Sequence, residues 1–144
     1  MKTFEELECY RAARELRRRI SQIVASFPRS EEFRLSDQII RSSRSITANI
    51  AEGFGRYHHL ESAQFYRQAR GSLSETLEHL NTAADEGLIG EKEYAALREL
   101  VAETWRLLNG YIAYLVRCAK DQRRSTLPKA ERADKGRGKA PIDQ

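Results

Sequence analysis

Apolar residues recur every three or four positions along most of the chain, the period of one helix face. No segment keeps the strict alternation of a half-buried strand. In the first segment Phe4, Leu7, Ala13, Leu16, Ile20, Ile23, Val24 and Phe27 form the stripe. Thr3 and Glu6 stand at capping-box spacing, the hydroxyl placed to accept from a free helix N–H and the carboxylate to reach back to the cap. Pro28 predicts the stop, because its ring disfavours a helical conformation in the residue before it.

The second segment opens between Ser30 and Leu35 and carries Leu35, Ile39, Ile46, Ile50 and Phe54 at spacings of 4, 7, 4 and 4. Ser42 and Ser43 fill the missing apolar position, and residues this small allow a neighbouring helix to approach closely. Gly53 and Gly55 are expected to supply its flexible end. The third segment begins around His59 to Ser62 and carries Phe65, Ala69, Ser72, Leu73, Thr76, Leu80, Ala83 and Ala84. Gly87 is its C-terminal cap, and Leu88 folds back onto the last turn. The fourth, from about Glu91, has the most regular stripe: Tyr94, Leu97, Val101, then Trp105 or Leu108, Ile112 and Leu115. Gly110 is a mild local weakness.

Four amphipathic helices with short connections predict an all-α, up-down-up-down four-helix bundle over residues 1–121, about 35–40 Å long. Phe54, Tyr57, Phe65 and Tyr66 are candidates for exposed apolar residues that serve self-association. Beyond Asp121 the stripe ends, and residues 122–144, rich in Lys, Arg, Ala and Gly, are expected to form a disordered basic tail.

Composition narrows the class. The 144 residues suit one domain. At 32% charged and 40% hydrophobic, the chain is too polar for a membrane protein and too apolar for full disorder. No apolar run approaches ~18 residues and no signal-peptide core is visible, so a soluble, cytoplasmic protein without membrane contact is expected.

The formal charge of +4 is unevenly spread. Residues 117–144 hold 9 Lys/Arg against 4 Asp/Glu, a net of +5, which leaves 16 against 17, or −1, for residues 1–116. Within that body, residues 1–10 carry −2, residues 11–70 carry +6 and residues 71–116 carry −5. A folded body can therefore present one positive and one negative side.

Candidate catalysis is poorly supported. A di-metal bundle centre needs Glu three residues before His on two helices. The residues at that position before His58, His59 and His79 are Gly55, Arg56 and Thr76. Cys9 and Cys118 have no CxxC spacing and no neighbouring His, which argues against a zinc site, a disulfide framework or an activated nucleophile. Neither a metal, a cofactor nor an enzymatic activity is expected. The turn Gly53-Phe54-Gly55-Arg56 follows a helix rather than a strand, so it is not a phosphate-binding loop of the usual kind. It is either a helix terminator or a place where Gly55 admits a close backbone approach and Arg56 offers a guanidinium to an anion.

Arginine placement is the stronger lead. Arg11, Arg14 and Arg18 share one face of the first helix, Arg34, Arg41 and Arg44 do likewise on the second, and Arg67 and Arg70 continue the excess on the third. Such stripes suit a nucleic-acid backbone, and they equally suit a solvated face with local pairs such as Arg19 with Glu15, or pairs to the acidic helices. A second stripe, Gln38, Arg41, Ser45, Asn49 and Glu52, runs at spacings of 3, 4, 4 and 3. It reads either as a satisfied polar seam, with Glu52 accepting from Arg56 and Asn49 bonding a backbone group, or as a ligand-contacting groove.

The stretch from Gln38 to Glu75 resembles the bacterial four-helix-bundle proteins first noticed as reading frames within intervening sequences of 23S ribosomal RNA genes. The residues that carry the likeness are Gln38-Ile39-Ile40-Arg41, Ser45-Ile46, the run Asn49-Ile50-Ala51-Glu52-Gly53-Phe54-Gly55-Arg56, and Phe65 with Ala69-Arg70-Gly71-Ser72-Leu73-Ser74-Glu75. Phe27-Pro28, Glu31, Leu35 and Gly87-Leu88-Ile89 fit as well, so the likeness covers residues 4–118. It implies a left-handed bundle that assembles into a ring, typically a pentamer, similar to the accessory protein of diversity-generating retroelements, which partners a reverse transcriptase and binds nucleic acid through a basic surface. Thr47 departs from the pattern, standing where many members have Pro, and the tail lies outside it.

Two functions are consistent with these features. One is a non-enzymatic homo-oligomer that binds RNA or DNA electrostatically through Arg11, Arg14, Arg18, Arg41, Arg44, Arg56, Arg67 and Arg70. The other is a ring-forming scaffold for a protein partner. Gln38, Asn49, Glu52, Gly53, Gly55, Gly71, Ser72 and Glu75 are motif residues with structural or interface roles.

Overall fold

The computed structural model describes residues 2–128. Four helices account for most of them: α1 (Glu8–Val24), α2 (Asp37–Phe54), α3 (His59–Asp85) and α4 (Glu91–Thr126). Among the described residues there is no strand. Each helix packs on two neighbours, α1 and α3 both lying against α2 and α4, which is the square of an up-down-up-down bundle.

The core follows the predicted stripes. Leu16 and Ile20 of α1, Ile39, Ile46 and Ile50 of α2, Leu73 and Leu80 of α3, and Leu97 and Leu108 of α4 are fully enclosed or nearly so. Burial of side chains this size stabilises by about 1.5–3 kcal/mol each. Leu108, not Trp105, occupies the core position in the middle of α4, and Trp105 stays 40% exposed. Tyr66 corrects the expectation of an exposed aromatic: it is completely buried, because Gly53 opposite it leaves room for the ring. Tyr57, at 91% exposure, is the aromatic that does face solvent there.

The boundaries depart from the pattern in four places. Thr3 caps only a single 3-10 turn, Phe4–Glu6, accepting from the Glu5 N–H at 3.2 Å, while the Glu6 carboxylate accepts from Lys2 rather than from the cap. Leu7 is extended and buried, so the apolar anchor breaks the helix before α1 begins. At the far end α1 stops at Val24, four residues before Pro28. There the Ser26 hydroxyl donates to the Ile23 carbonyl at 2.7 Å and the turn buries Phe27.

The entry to α2 is a 3-10 turn, Arg29–Glu31, followed by a wider five-residue π turn, Glu32–Ser36. That turn brings Leu35 and Ser36 inward and leaves Phe33 85% exposed. Finally, α4 continues to Thr126, so residues 122–126 are helical and the expected tail does not begin at 122. With 36 residues α4 is about 54 Å long, well past the predicted 35–40 Å. The remainder of that tail, 129–144, lies outside the described residues.

Gly87 behaves as predicted. At φ 71° it closes α3 with the paired bonds Leu88 N–H to Ala83 carbonyl and Gly87 N–H to Ala84 carbonyl, and Leu88 packs against the core.

Candidate nucleic-acid interface

Along α1, burial of Ala13, Leu16 and Ile20 fixes which side faces inward. At 100° per residue Arg11, Arg14 and Arg18 fall on the opposite side, and all three are exposed. Arg11 donates through Nε to the Glu5 carbonyl at 3.2 Å, a contact that holds the side chain without cancelling its charge. Arg14 and Arg18 form neither an ion pair nor a hydrogen bond among the described residues.

The adjoining side of α2 contributes Arg44, also exposed and without an anionic partner among the described residues. Between the two helices runs a shallow groove of about 370 Å³, lined by Arg17 and Arg44 with Tyr10, Thr47, Ala48 and Ala51. Arg17 is the residue that the spacing argument missed. It lies a quarter-turn off the outer stripe, where its Nη1 donates to Thr47 Oγ1 at 2.9 Å, and that hydroxyl donates to the Arg44 carbonyl at 3.1 Å. The signal available was the Arg17-Arg18-Arg19 run, which guarantees that one arginine points toward a neighbouring helix.

The other predicted arginines divide differently. Arg41 pairs with Asp37 at 3.5 Å and Arg34 with Glu31 at 3.8 Å, while Arg19 meets Glu15 at 3.1 Å as expected. Arg56 is held by Glu52 at 2.5 Å and Glu61 at 3.3 Å, and its guanidinium lies 4.7 Å from the Phe65 ring centroid. It closes the α2–α3 turn. Arg67 and Arg70 sit on the α4 side of α3, across the bundle from the α1–α2 groove, and Arg70 donates to Asn109 Oδ1 at 2.7 Å. The eight arginines therefore do not make one surface. Among the described residues, the ion pairs are local in sequence and none crosses the bundle.

Three of the motif residues, Asn49, Gly53 and Ser72, lie instead at the α2–α3 contact. Ser45 and Ser72 hydroxyls meet at 2.8 Å, Thr76 Oγ1 donates to Ser42 Oγ at 2.8 Å, and Asn49 Nδ2 donates to the Ser45 carbonyl at 2.9 Å. The Ser62 hydroxyl donates to the Gly53 carbonyl at 2.6 Å. A Cβ on Gly53 would stand 2.9 Å from Tyr66 Cε2 and 3.0 Å from Phe65 Cβ, so this glycine serves close packing and not flexibility. Gly55 has an ordinary helical φ of −75° and room for a Cβ, so neither a flexible end nor a close approach depends on it. Gly71 is exposed with nothing near it. Glu75 reaches His79 Nε2 at 3.7 Å, and Gln38 is exposed in a groove with Glu31, Arg34 and Glu86.

Residues 5–110 match the family model described as 23S rRNA-intervening sequence protein. The chain belongs to this family. As a 23S rRNA-intervening sequence family member it is similar to a solved structure from Bacteroides thetaiotaomicron, described as a protein of unknown function from the S23 ribosomal protein family. Identity is 25% over 72% of this chain and 97% of that one, with a TM-score of 0.67. A comparison with curated proteins found no match. The family match spans the serine seam and the Gly53 contact, which join α2 to α3, as well as the α1–α2 face. Among the described residues of this family member, no helix is long and apolar enough to cross a membrane.

Proposed function

We propose that the protein is a non-catalytic RNA-binding bundle that holds a structured RNA backbone against its α1–α2 face. The observation that carries this reading is the group Arg11, Arg14, Arg18 and Arg44, exposed along two adjacent helices and in no ion pair among the described residues. Guanidinium groups are suited to phosphate because they present a planar fork of donors and keep their charge at any physiological pH. Arg17, anchored on Thr47, holds the floor of the groove positive. Recognition of this kind reads backbone charge and shape, not base sequence.

Four phosphate contacts give a salt slope of roughly −3 to −4, so affinity for an RNA hairpin falls about a hundredfold between ~50 and ~200 mM salt. Fluorescence anisotropy of a labelled hairpin measures it. Binding that ignores salt, or no binding at ~50 mM salt, overturns the reading.

A second reading draws on the segregation of charge, +6 over residues 11–70 and −5 over residues 71–116. The arginine-bearing outer side of α1 in one copy fits the acidic 71–116 stretch of the next, a head-to-tail contact that closes into a ring and offers a scaffold to a protein partner. Light scattering of arginine-reversed variants separates the two. Loss of the oligomer favours assembly, and loss of RNA binding from an intact oligomer favours the RNA surface.

A further inference from the structure

On the opposite side of the bundle, α3 and α4 enclose a groove of about 380 Å³ lined by Ser74, Leu77, Arg98, Val101, Ala102 and Trp105. Its volume is that of a small-molecule site. Trp105 forms one wall at 40% exposure, a large apolar surface left in water. Arg70 reaches over that ring, its guanidinium carbon 5.7 Å from the centroid, and is held in place by Asn109. Arg98, seven residues before Trp105 and so about 10 Å along α4, is held by the Tyr94 hydroxyl at 2.8 Å. Tyr94 in turn donates to Asn81. Arg67 adds a third charge one turn from Arg70.

Each of these arginines lies in or beside the acidic half of the chain, yet none has a carboxylate partner among the described residues. Arg106 on the same helix, by contrast, is paired with Glu103. Arg70 and Arg98 are positioned by neutral groups, so neither guanidinium beside the aromatic wall is in an ion pair among the described residues.

We infer that this groove binds an unpaired nucleotide of a single-stranded RNA segment, its base lying against Trp105 between Leu77 and Val101 and its flanking phosphates on Arg70 and Arg98. A flat ring with anionic groups on either side matches an aromatic wall flanked by cations. A second copy of the chain matches it less well. A stable protein interface buries about 800 Å² per partner, and the groove offers only Leu77, Val101, Ala102 and Trp105 as apolar contacts. The inference takes its ligand class from the RNA reading above, but it uses a different face, so the two can fail separately.

The test exploits a property of the sequence: Trp105 is the only tryptophan. Titrating the full chain with an oligouridylate of about eight nucleotides should quench its fluorescence saturably. Arg98→Gln should weaken that binding about fivefold or more, and Trp105→Ala should do the same by anisotropy of a labelled oligomer. Arg14→Glu with Arg18→Glu should leave the quenching unchanged while weakening hairpin binding.

Hairpin binding without saturable quenching by oligouridylate overturns the groove and leaves the α1–α2 reading standing. A quenching midpoint unchanged in Arg98→Gln overturns the phosphate contact and the inference with it. Trp105 emission that shifts with protein concentration alone, and ceases to do so in Arg98→Gln, assigns the groove to a second copy and overturns it as well.

Discussion

The Arg17 guanidinium donates to Thr47 Oγ1 at 2.9 Å, and the same hydroxyl donates to the Arg44 carbonyl, so one threonine ties α1 to α2 beneath the outward arginines. The resemblance places Pro at this position in many members of the family. Here the hydroxyl takes over a role no proline can fill, accepting a charged donor from the neighbouring helix.

Replacing Thr47 by Val removes the acceptor at nearly constant shape. Arg17 is partly exposed and recovers water, so the loss of stability is modest, about 1 kcal/mol. Urea unfolding should show a lower midpoint with an unchanged slope. A larger loss would mean that Thr47 supports more than this one contact.

Two glycines should respond in opposite directions to the same change. Gly53→Ala places a methyl 2.9 Å from Tyr66 Cε2, 3.0 Å from Phe65 Cβ and 3.1 Å from the Ser62 carbonyl, and should destabilise by about 1–3 kcal/mol despite the better helix propensity of alanine. Gly71→Ala meets nothing within 4 Å on an exposed turn of α3 and should stabilise by up to ~1 kcal/mol. Thermal midpoints of the two variants moving the same way would contradict this assignment.

The cysteines give a reactivity prediction. Burial pushes the Cys9 thiol from its ordinary value of 9.0 up to about 11, whereas Cys118 is only half-buried. A thiol reagent should therefore titrate one cysteine in the native protein and both after unfolding. Rapid native modification of both would place Cys9 outside the core.

The same shift sets an alkaline limit on stability. The unfolded chain gives up the Cys9 proton near pH 9.0, while the native state holds it until about 11. Stability is therefore full below pH 9 and declines as pH rises through this window, by up to about 3 kcal/mol. Burial raises the Tyr66 phenol as well and adds to the decline at still higher pH. The thermal midpoint should fall between pH 9 and 11, and Cys9→Ala should flatten that fall relative to its own value at pH 7.

The bundle was legible because the helix period is carried by residues with one preferred place: Leu16, Ile20, Ile39, Ile46, Ile50, Leu73 and Leu80 are all core. Gly87 was legible because a positive φ has few other solutions. The ends of the helices were not, since Leu7 and Ser26 break α1 through tertiary burial and a side-chain bond rather than through residues that disfavour helix. Tyr66 was misplaced because its burial depends on a glycine thirteen positions earlier on another helix.

For the site, spacing recovered Arg11, Arg14 and Arg18 as one outward face. It had no means of placing Arg70 and Arg67 on the far side of the bundle from them, or of finding the guanidinium of Arg70 over Trp105. Which helices are neighbours decides both, and each helix carries its own period without that information.

The most direct measurement is the salt dependence of hairpin RNA affinity for the wild-type chain and for the Arg14→Glu, Arg18→Glu variant. Wild type should show a slope of roughly −3 to −4 on logarithmic axes, and the variant should bind more weakly with a slope reduced by about two. An unchanged slope in a variant that remains folded and of unaltered size would contradict the assignment of the α1–α2 face.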